Sequence, residues 1–201
     1  MKTRTFSFVE CLVLLLLVAA ASTVAIPHWT SDGMLRNERG AVEVLREIAE
    51  AQDLFHTRNA TFAMMEELTG FRTGREVELI PPAFPSGAPE YGVIERDGYL
   101  FSVYLAAKDG EGALRLVDPD EEHAKTFWVA YAWPRHYGIT GRSLYAINAQ
   151  GEVFTWENSV NPFSSREARP PANLLGARLG KDHPLAKPPG WVERLSWTRV
   201  P

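Results

Sequence analysis

Glu10 is the residue whose chemistry first asks for an explanation. It is the only charged residue in Phe6 to Pro27, FSFVECLVLLLLVAAASTVAIP. An ionised carboxylate among hydrocarbon is costly unless it is paired, so such an acid is a functional-site hypothesis by default. Other groupings compete with it. Asp118, Asp120 and Glu121, followed by Glu122 and His123, form the densest acidic cluster. Hard cations take about six to eight oxygens with turn glycines nearby, whereas this run holds a proline and no ligand spacing. It reads first as a solvated loop and only weakly as a metal site. His28, His56, His123, His136 and His183 are scattered, with no pair at metal spacing. Tyr131, Trp133, Tyr137 and Tyr145 can stack a ligand, although aromatics in such a pattern more often fill a core or a subunit contact. The one cysteine, Cys11, lies inside the apolar run, which leaves no intrachain disulfide, Cys-based zinc site or soluble thiol nucleophile. There is no Gly-rich phosphate loop, nucleophile elbow or Cys/His arrangement. Neither an enzyme nor a cofactor is expected.

The element that positions Glu10 is the apolar run itself. As a helix, Phe6 to Ile26 rises about 32 Å, enough to cross a hydrocarbon core of about 30 Å. Lys2 and Arg4 precede it, so the positive-inside rule keeps the leader cytoplasmic and sends the body outward. A cleaved secretory signal is a competing reading, with small residues at Ala19, Ala21, Thr23 and Ala25. Glu10 at the start of the apolar stretch and Pro27 just past the Ala25 site both fit that reading poorly. A plain membrane anchor leaves Glu10 unexplained.

Phe6, Glu10 and Pro27 together resemble the N-terminus of type IV pilins and of the pseudopilins of type II secretion. There a short basic leader precedes a mature Phe, a Glu follows four residues later, and a Pro lies seventeen residues beyond the Glu. Both offsets hold here. The departure is Thr5, at the place where the family carries the Gly read by its leader peptidase. The resemblance implies cleavage between Thr5 and Phe6, an assembly role for Glu10 facing an N-terminal ammonium, and a helix bend at Pro27. It also implies a prepilin peptidase, other pilin-like subunits and membrane lipid as partners.

The remaining chain is a size for one modest domain. Its composition, 45% hydrophobic with six Trp and ten Phe, can fill a core. The whole carries a formal charge of −4, and since Lys2 and Arg4 outnumber Glu10, the body is more acidic still. Nucleic acid, which calls for a basic stripe, is not an expected partner. From Asn37 to Phe55 the apolar positions Ala41, Leu45, Ile48 and Phe55, with Val44 and Ala51 beside them, predict an amphipathic helix. Arg46 and Glu50 stand at an i,i+4 offset on its polar side. Asn37, Glu38, Ala41, Val42, Leu45, Arg46, Ile48, Ala51 and Gln52 also resemble the pilin-like pattern beyond the proline. Pro27, Gly33 and Gly40 are points where this helix should bend or loosen.

Thr61 to Phe71 predicts one or two helical turns stopped at Gly70. The proline-rich stretch 79–92 predicts a loop. Tyr99 to Ala107, Phe127 to Trp133, Ser143 to Asn148 and Glu152 to Trp156 then predict strands, with a tight hairpin at Ala149-Gln150-Gly151. Large side chains fall on both parities; Phe101, Val103, Leu105, Val129, Tyr145 and Ile147 are taken as the core face. Gly98-Tyr99 and Gly151 resemble the strand openings and tight turns of pilin-like heads. The last stretch is rich in proline, with Trp191 and Trp197 and a strand candidate from Trp191 to Val200, and reads as an irregular strap anchored by its aromatics.

The expected fold class is therefore α+β: a long N-terminal helix, membrane half plus amphipathic half, packed on a small antiparallel sheet, with an irregular C-terminal extension. The expected divisions are a basic leader 1–5, a membrane-spanning half 6–27, a pilin-like head 28–156 and a Pro-rich extension 157–201. The expected function is a pilin-like or pseudopilin-like structural subunit in the bacterial inner membrane, its head on the outer side. The alternative is a membrane-tethered or secreted non-catalytic binding domain that does not polymerise.

Overall fold

The 3.6-residue period between Asn37 and Phe55 becomes a helix whose apolar stripe is fully covered. Leu45 and Ile48 are 0% exposed and Phe55 is 3% exposed. Burial of such aliphatic side chains is worth about 1.5–3 kcal/mol each. The structure is a computed structural model and describes residues 8–70, 92–106, 112–113, 122–159, 162–179 and 196–201. The helix, α1, spans Phe8–Asn59. Its side chains are described at Leu12, Val13 and Leu15 and from Ser31 onward. Its backbone is assigned as one helix through Pro27, Gly33 and Gly40.

At the end of α1 the chain reverses. Ala60 takes a positive φ of 55°, and the buried Gln52 amide grips the returning strand of backbone: its Nε2 donates to the Ala63 carbonyl and its Oε1 accepts from the Ala63 N–H, both at 2.8 Å. A buried amide satisfied on both sides fixes this turn at little cost. One helical turn, α2 (Met65–Leu68), follows and buries Met65 and Leu68. Gly70, with φ 68°, stops it as expected. Most of the expected loop 79–92 lies outside the described residues.

Among the described residues, seven antiparallel strands form one sheet: β1 (Val93–Arg96), β2 (Tyr99–Ala106), β3 (Gly112–Ala113), β4 (Trp128–Pro134), β5 (Ser143–Asn148), β6 (Val153–Glu157) and β7 (Thr198–Arg199). Six run in the order β1-β2-β4-β5-β6-β7, and β3 pairs with β2. Arg96 pairs with Tyr99 across a two-residue turn. Its residues Asp97 and Gly98 both have positive φ, 50° and 74°, the geometry of a type I′ hairpin. Asp97-Gly98 thus joins two strands rather than opening the first. At the other hairpin, Asn148 Oδ1 accepts from the N–H groups of Gln150 and Glu152 at 3.1 and 2.9 Å.

The sheet is buried on both faces. Toward α1 it presents Tyr99, Phe101, Val103, Leu105, Trp128, Ala130, Ala132, Tyr145 and Ile147. Away from α1 it presents Leu100, Tyr104, Val129, Tyr131, Trp133, Leu144, Ala146, Phe154 and Trp156, which pack on Ala172, Leu174, Leu175, Leu179 and Trp197. Two-sided burial is the reason that large residues occupy both parities. Five of the six expected core-face residues share the helix side; Val129 faces the other way.

The expected fold class is corrected by these findings. Among the described residues no helix is long and apolar enough to cross a membrane. From Ser31 onward α1 carries Asp32, Arg36, Arg39, Glu43, Arg46, Glu47, Glu50 and Asp53, a density of charge that hydrocarbon does not accept. The long N-terminal membrane helix is thus replaced by an amphipathic helix on a sheet. That sheet is larger than the expected meander, and residues of the C-terminal region supply both its last strand and a second covering layer.

Candidate interaction surface

Most of the residues singled out in the sequence lie beyond what the structure describes. Thr5, Phe6, Asp118, Asp120 and Glu121 lie outside the described residues. Glu10 and Pro27 fall on the helical backbone of α1, with side chains outside the described set. Beside the acidic cluster, Glu122 Oε1 accepts from Lys125 Nζ at 2.7 Å. Among the described residues no group of three or more His, Cys, Asp or Glu side chains is placed to hold a metal ion. The four aromatics do not form one platform: Tyr131 and Trp133 point away from α1, and Tyr145 points toward it.

What the structure does bring together is a polar junction where α1 meets the end of the sheet. Asn37 Nδ2 donates to the Thr140 carbonyl at 2.9 Å. Glu38 Oε1 accepts from the N–H groups of Arg142 and Ser143 at 2.9 and 3.1 Å. One carboxylate therefore holds the start of β5 against the helix with two charge-assisted bonds, the stronger kind. Beneath it the Tyr99 hydroxyl donates to the Ser143 carbonyl at 3.0 Å. A Cβ on Gly141 would collide with the Tyr99 ring and hydroxyl, which explains glycine at that position. Burial raises the Tyr99 phenol well above its ordinary range, and the nearby Glu38 charge raises it further. Tyr145 is raised by the same two causes in the same order. Tyr99 acts here as a neutral donor.

The outward side of α1 is the second feature. Leu35 and Leu54 are 51% and 50% exposed, and Leu12, Val13 and Leu15 are also exposed. Around Leu35, with Asp32, Arg36 and Arg39, lies an open cleft of about 610 Å³. The expected Arg46–Glu50 support is absent as an ion pair among the described residues; Arg46 Nη2 donates to the Pro201 carbonyl at 2.9 Å. Arg46 thereby ties the C-terminal end of the described chain to α1.

Sequence reasoning placed Asn37 and Glu38 on the helix but missed their function as its anchor to the sheet. The legible signal was an acid one turn before the first buried residue of the stripe, beside a loop rich in glycine, Gly138 and Gly141. Comparison with protein-family models, curated proteins and solved structures found no match for this chain.

Proposed function

We propose that the chain is a structural, non-catalytic subunit of the pilin-like or pseudopilin-like type, which works by packing its N-terminal helix against neighbouring subunits. The observation that carries this reading is the division of α1: its distal half is docked on the sheet, while Leu12, Val13 and Leu15 stand exposed on its proximal half. Exposed aliphatic residues on a helical arm are a surface awaiting a partner. The offsets of Phe6, Glu10 and Pro27 support the same reading. In it, the subunit associates with the bacterial inner membrane through the apolar run, its head on the outer side, and a prepilin peptidase cuts between Thr5 and Phe6. Cleavage places an ammonium on Phe6, and Glu10 pairs with that charge on a neighbouring or the same subunit. At about 4 Å in apolar surroundings such a pair attracts far more strongly than in water.

The test is Glu10→Val together with mass spectrometry of the mature N-terminus. The variant is expected to keep a folded head and to lose co-assembly with fibre components, read by crosslinking and shearing. The mature wild-type chain is expected to begin at Phe6. A second reading, a tethered or secreted binding domain that does not polymerise, draws on Thr5. It takes over if Met1 is retained in cells that process other prepilins, or if Glu10→Val assembles as wild type does.

A further inference from the structure

The outer edge of β6 has a thin cover. All five residues of this strand pair with β5, from Glu157 with Ser143 to Val153 with Ile147. On the other side, among the described residues, β7 pairs with only Phe154 and Thr155. One further bond runs from the Val200 N–H to the Val153 carbonyl at 2.8 Å. Thr198 and Arg199 are both exposed. A sheet edge so lightly closed is a template for another strand.

The tail 196–201 shows what this edge takes. Trp197 enters the layer away from α1, its ring 6.2 Å from that of Trp156. Arg199 Nη1 lies 3.1 Å from Glu152 Oε1. Val200 packs on the opposite, helix-side cluster, and Arg46 holds the Pro201 carbonyl. Strand alternation sets the aromatic residue and the cation on one face and the aliphatic residue on the other. The seat is imperfect. Trp197 is only 8% exposed, yet its indole N–H has no acceptor among the described residues, a defect that buried polar groups ordinarily avoid.

We propose that the outer edge of β6 is a strand-acceptor site for an extended segment of a partner protein, with 196–201 as its internal stand-in. The partner segment carries an aromatic residue, a cation two positions on and an aliphatic residue next to it, the order of Trp197, Arg199 and Val200. Added strands draw affinity from main-chain bonds and specificity from pockets for alternate side chains. A strand longer than β7 also runs alongside Trp156 and Glu157, which β7 does not reach. Because the tail competes for the site, apparent affinity for a partner scales with the fraction of chains whose tail is released. Nothing in this site involves Phe6, Glu10 or Pro27, so it operates whether or not the chain assembles.

The experiment uses the full chain and a fluorescein-labelled peptide of sequence Ser-Trp-Thr-Arg-Val-Pro. By fluorescence anisotropy, Trp197→Ala, which empties the aromatic seat, is expected to bind the peptide about tenfold or more tightly than wild type does. A peptide with alanine in place of its tryptophan should bind neither. Hydrogen exchange on the unsubstituted chain is the second readout. The Val200 amide should exchange through an opening that leaves the β4 amides protected, and excess peptide should speed that exchange by holding the tail off. No peptide binding by a folded Trp197→Ala, equal binding by both chains, or Val200 exchange only with global unfolding overturns the proposal and makes β7 a fixed edge cover. Wild-type dimers that the peptide dissociates overturn the partner protein in favour of a second copy. Should Trp197→Ala lose its thermal transition, the exchange measurement decides.

Discussion

Against one face of the sheet lies α1, against the other the segment 162–179, and the sheet's own side chains differ accordingly. A helix satisfies its backbone internally, so the face beneath it is largely hydrocarbon: Phe101, Val103, Leu105, Ala130, Ala132 and Ile147. The opposite covering has only short 3-10 structure in Gly176–Leu179, and its remaining backbone groups need partners from elsewhere. The sheet supplies them from the tips of large aromatics. The Tyr104 hydroxyl donates to the Pro170 carbonyl at 2.5 Å, Tyr131 to Ala172 at 2.9 Å, and Trp133 Nε1 to Ser165 at 2.7 Å. Tyr131 also accepts from the Leu175 N–H at 2.9 Å. An irregular layer can thus be buried as thoroughly as a helix when the surface under it carries hydrogen-bonding groups on apolar bodies. That is a reason for Tyr104, Tyr131 and Trp133 on the back of β2 and β4, where the front carries Phe101, Val103, Leu105, Ala130 and Ala132 between Tyr99 and Trp128.

The helix side is the easier to break. Ile48→Asp removes a fully buried aliphatic group, worth about 1.5–3 kcal/mol, and leaves an unpaired charge that costs several kcal/mol more. Against a total stability of about 5–15 kcal/mol, the expected outcome is no cooperative thermal transition by circular dichroism. Wild-type melting would mean that α1 does not form this layer.

On the other face, Tyr131→Phe keeps the shape and deletes one oxygen. It strands the Ala172 carbonyl and the Leu175 N–H, an expected loss of about 1–3 kcal/mol in urea unfolding. A helix-side trimming of comparable size, Ile147→Val, should cost about 0.5–1.5 kcal/mol. If the tyrosine change costs no more than the aliphatic one, the contrast between the two faces fails. The same oxygen gives a pH signature. Burial raises the phenols of Tyr104 and Tyr131 above the ordinary value. The folded state holds them neutral while the unfolded chain ionises at about pH 10. Their contribution is therefore fully present below about pH 10 and is lost as pH rises from there toward the folded values. Tyr131→Phe should flatten this alkaline decline in stability measured across that range.

The smallest effect belongs to the rim. Arg135 Nη1 reaches Glu95 Oε1 at 2.6 Å with half of the arginine side chain exposed. Arg135→Ala should cost less than about 1 kcal/mol, and the difference from wild type should shrink in high salt.

The helix face was legible because its message is periodic: Leu45, Ile48 and Phe55 announce the buried stripe by spacing alone. The strands β2, β4, β5 and β6 were legible through aromatic and β-branched content. Their facing was not, since a period of two carries no information when both parities are buried, and Val129 was assigned to the wrong side for that reason. β1 escaped notice although Asp97-Gly98 is a strong hairpin signal, because Val93–Arg96 is short and half polar. The back layer had no period to read. Its prolines exclude regular structure, and what fixes it is written in β2 and β4, as tyrosines whose sequence neighbours give no hint of their partners. Of the residues chosen for function, the resemblance named Thr5, Phe6, Glu10 and Pro27. The junction built from Asn37 and Glu38 became visible only once Thr140, Arg142 and Ser143 were placed against them.

That junction sits where the docked part of α1 begins, and it determines how the molecule bears load. Tension applied along the helix axis pulls the Asn37 and Glu38 bonds and the contacts of Leu45, Ile48 and Phe55 in shear, so many must give way together. Tension applied sideways at the same point peels α1 from the sheet, and the Asn37 and Glu38 bonds take the force first. Pulled in an optical trap, the head should resist the axial direction at a higher rupture force than the transverse one. A subunit drawn end-on by its neighbours would be strained in its strong direction.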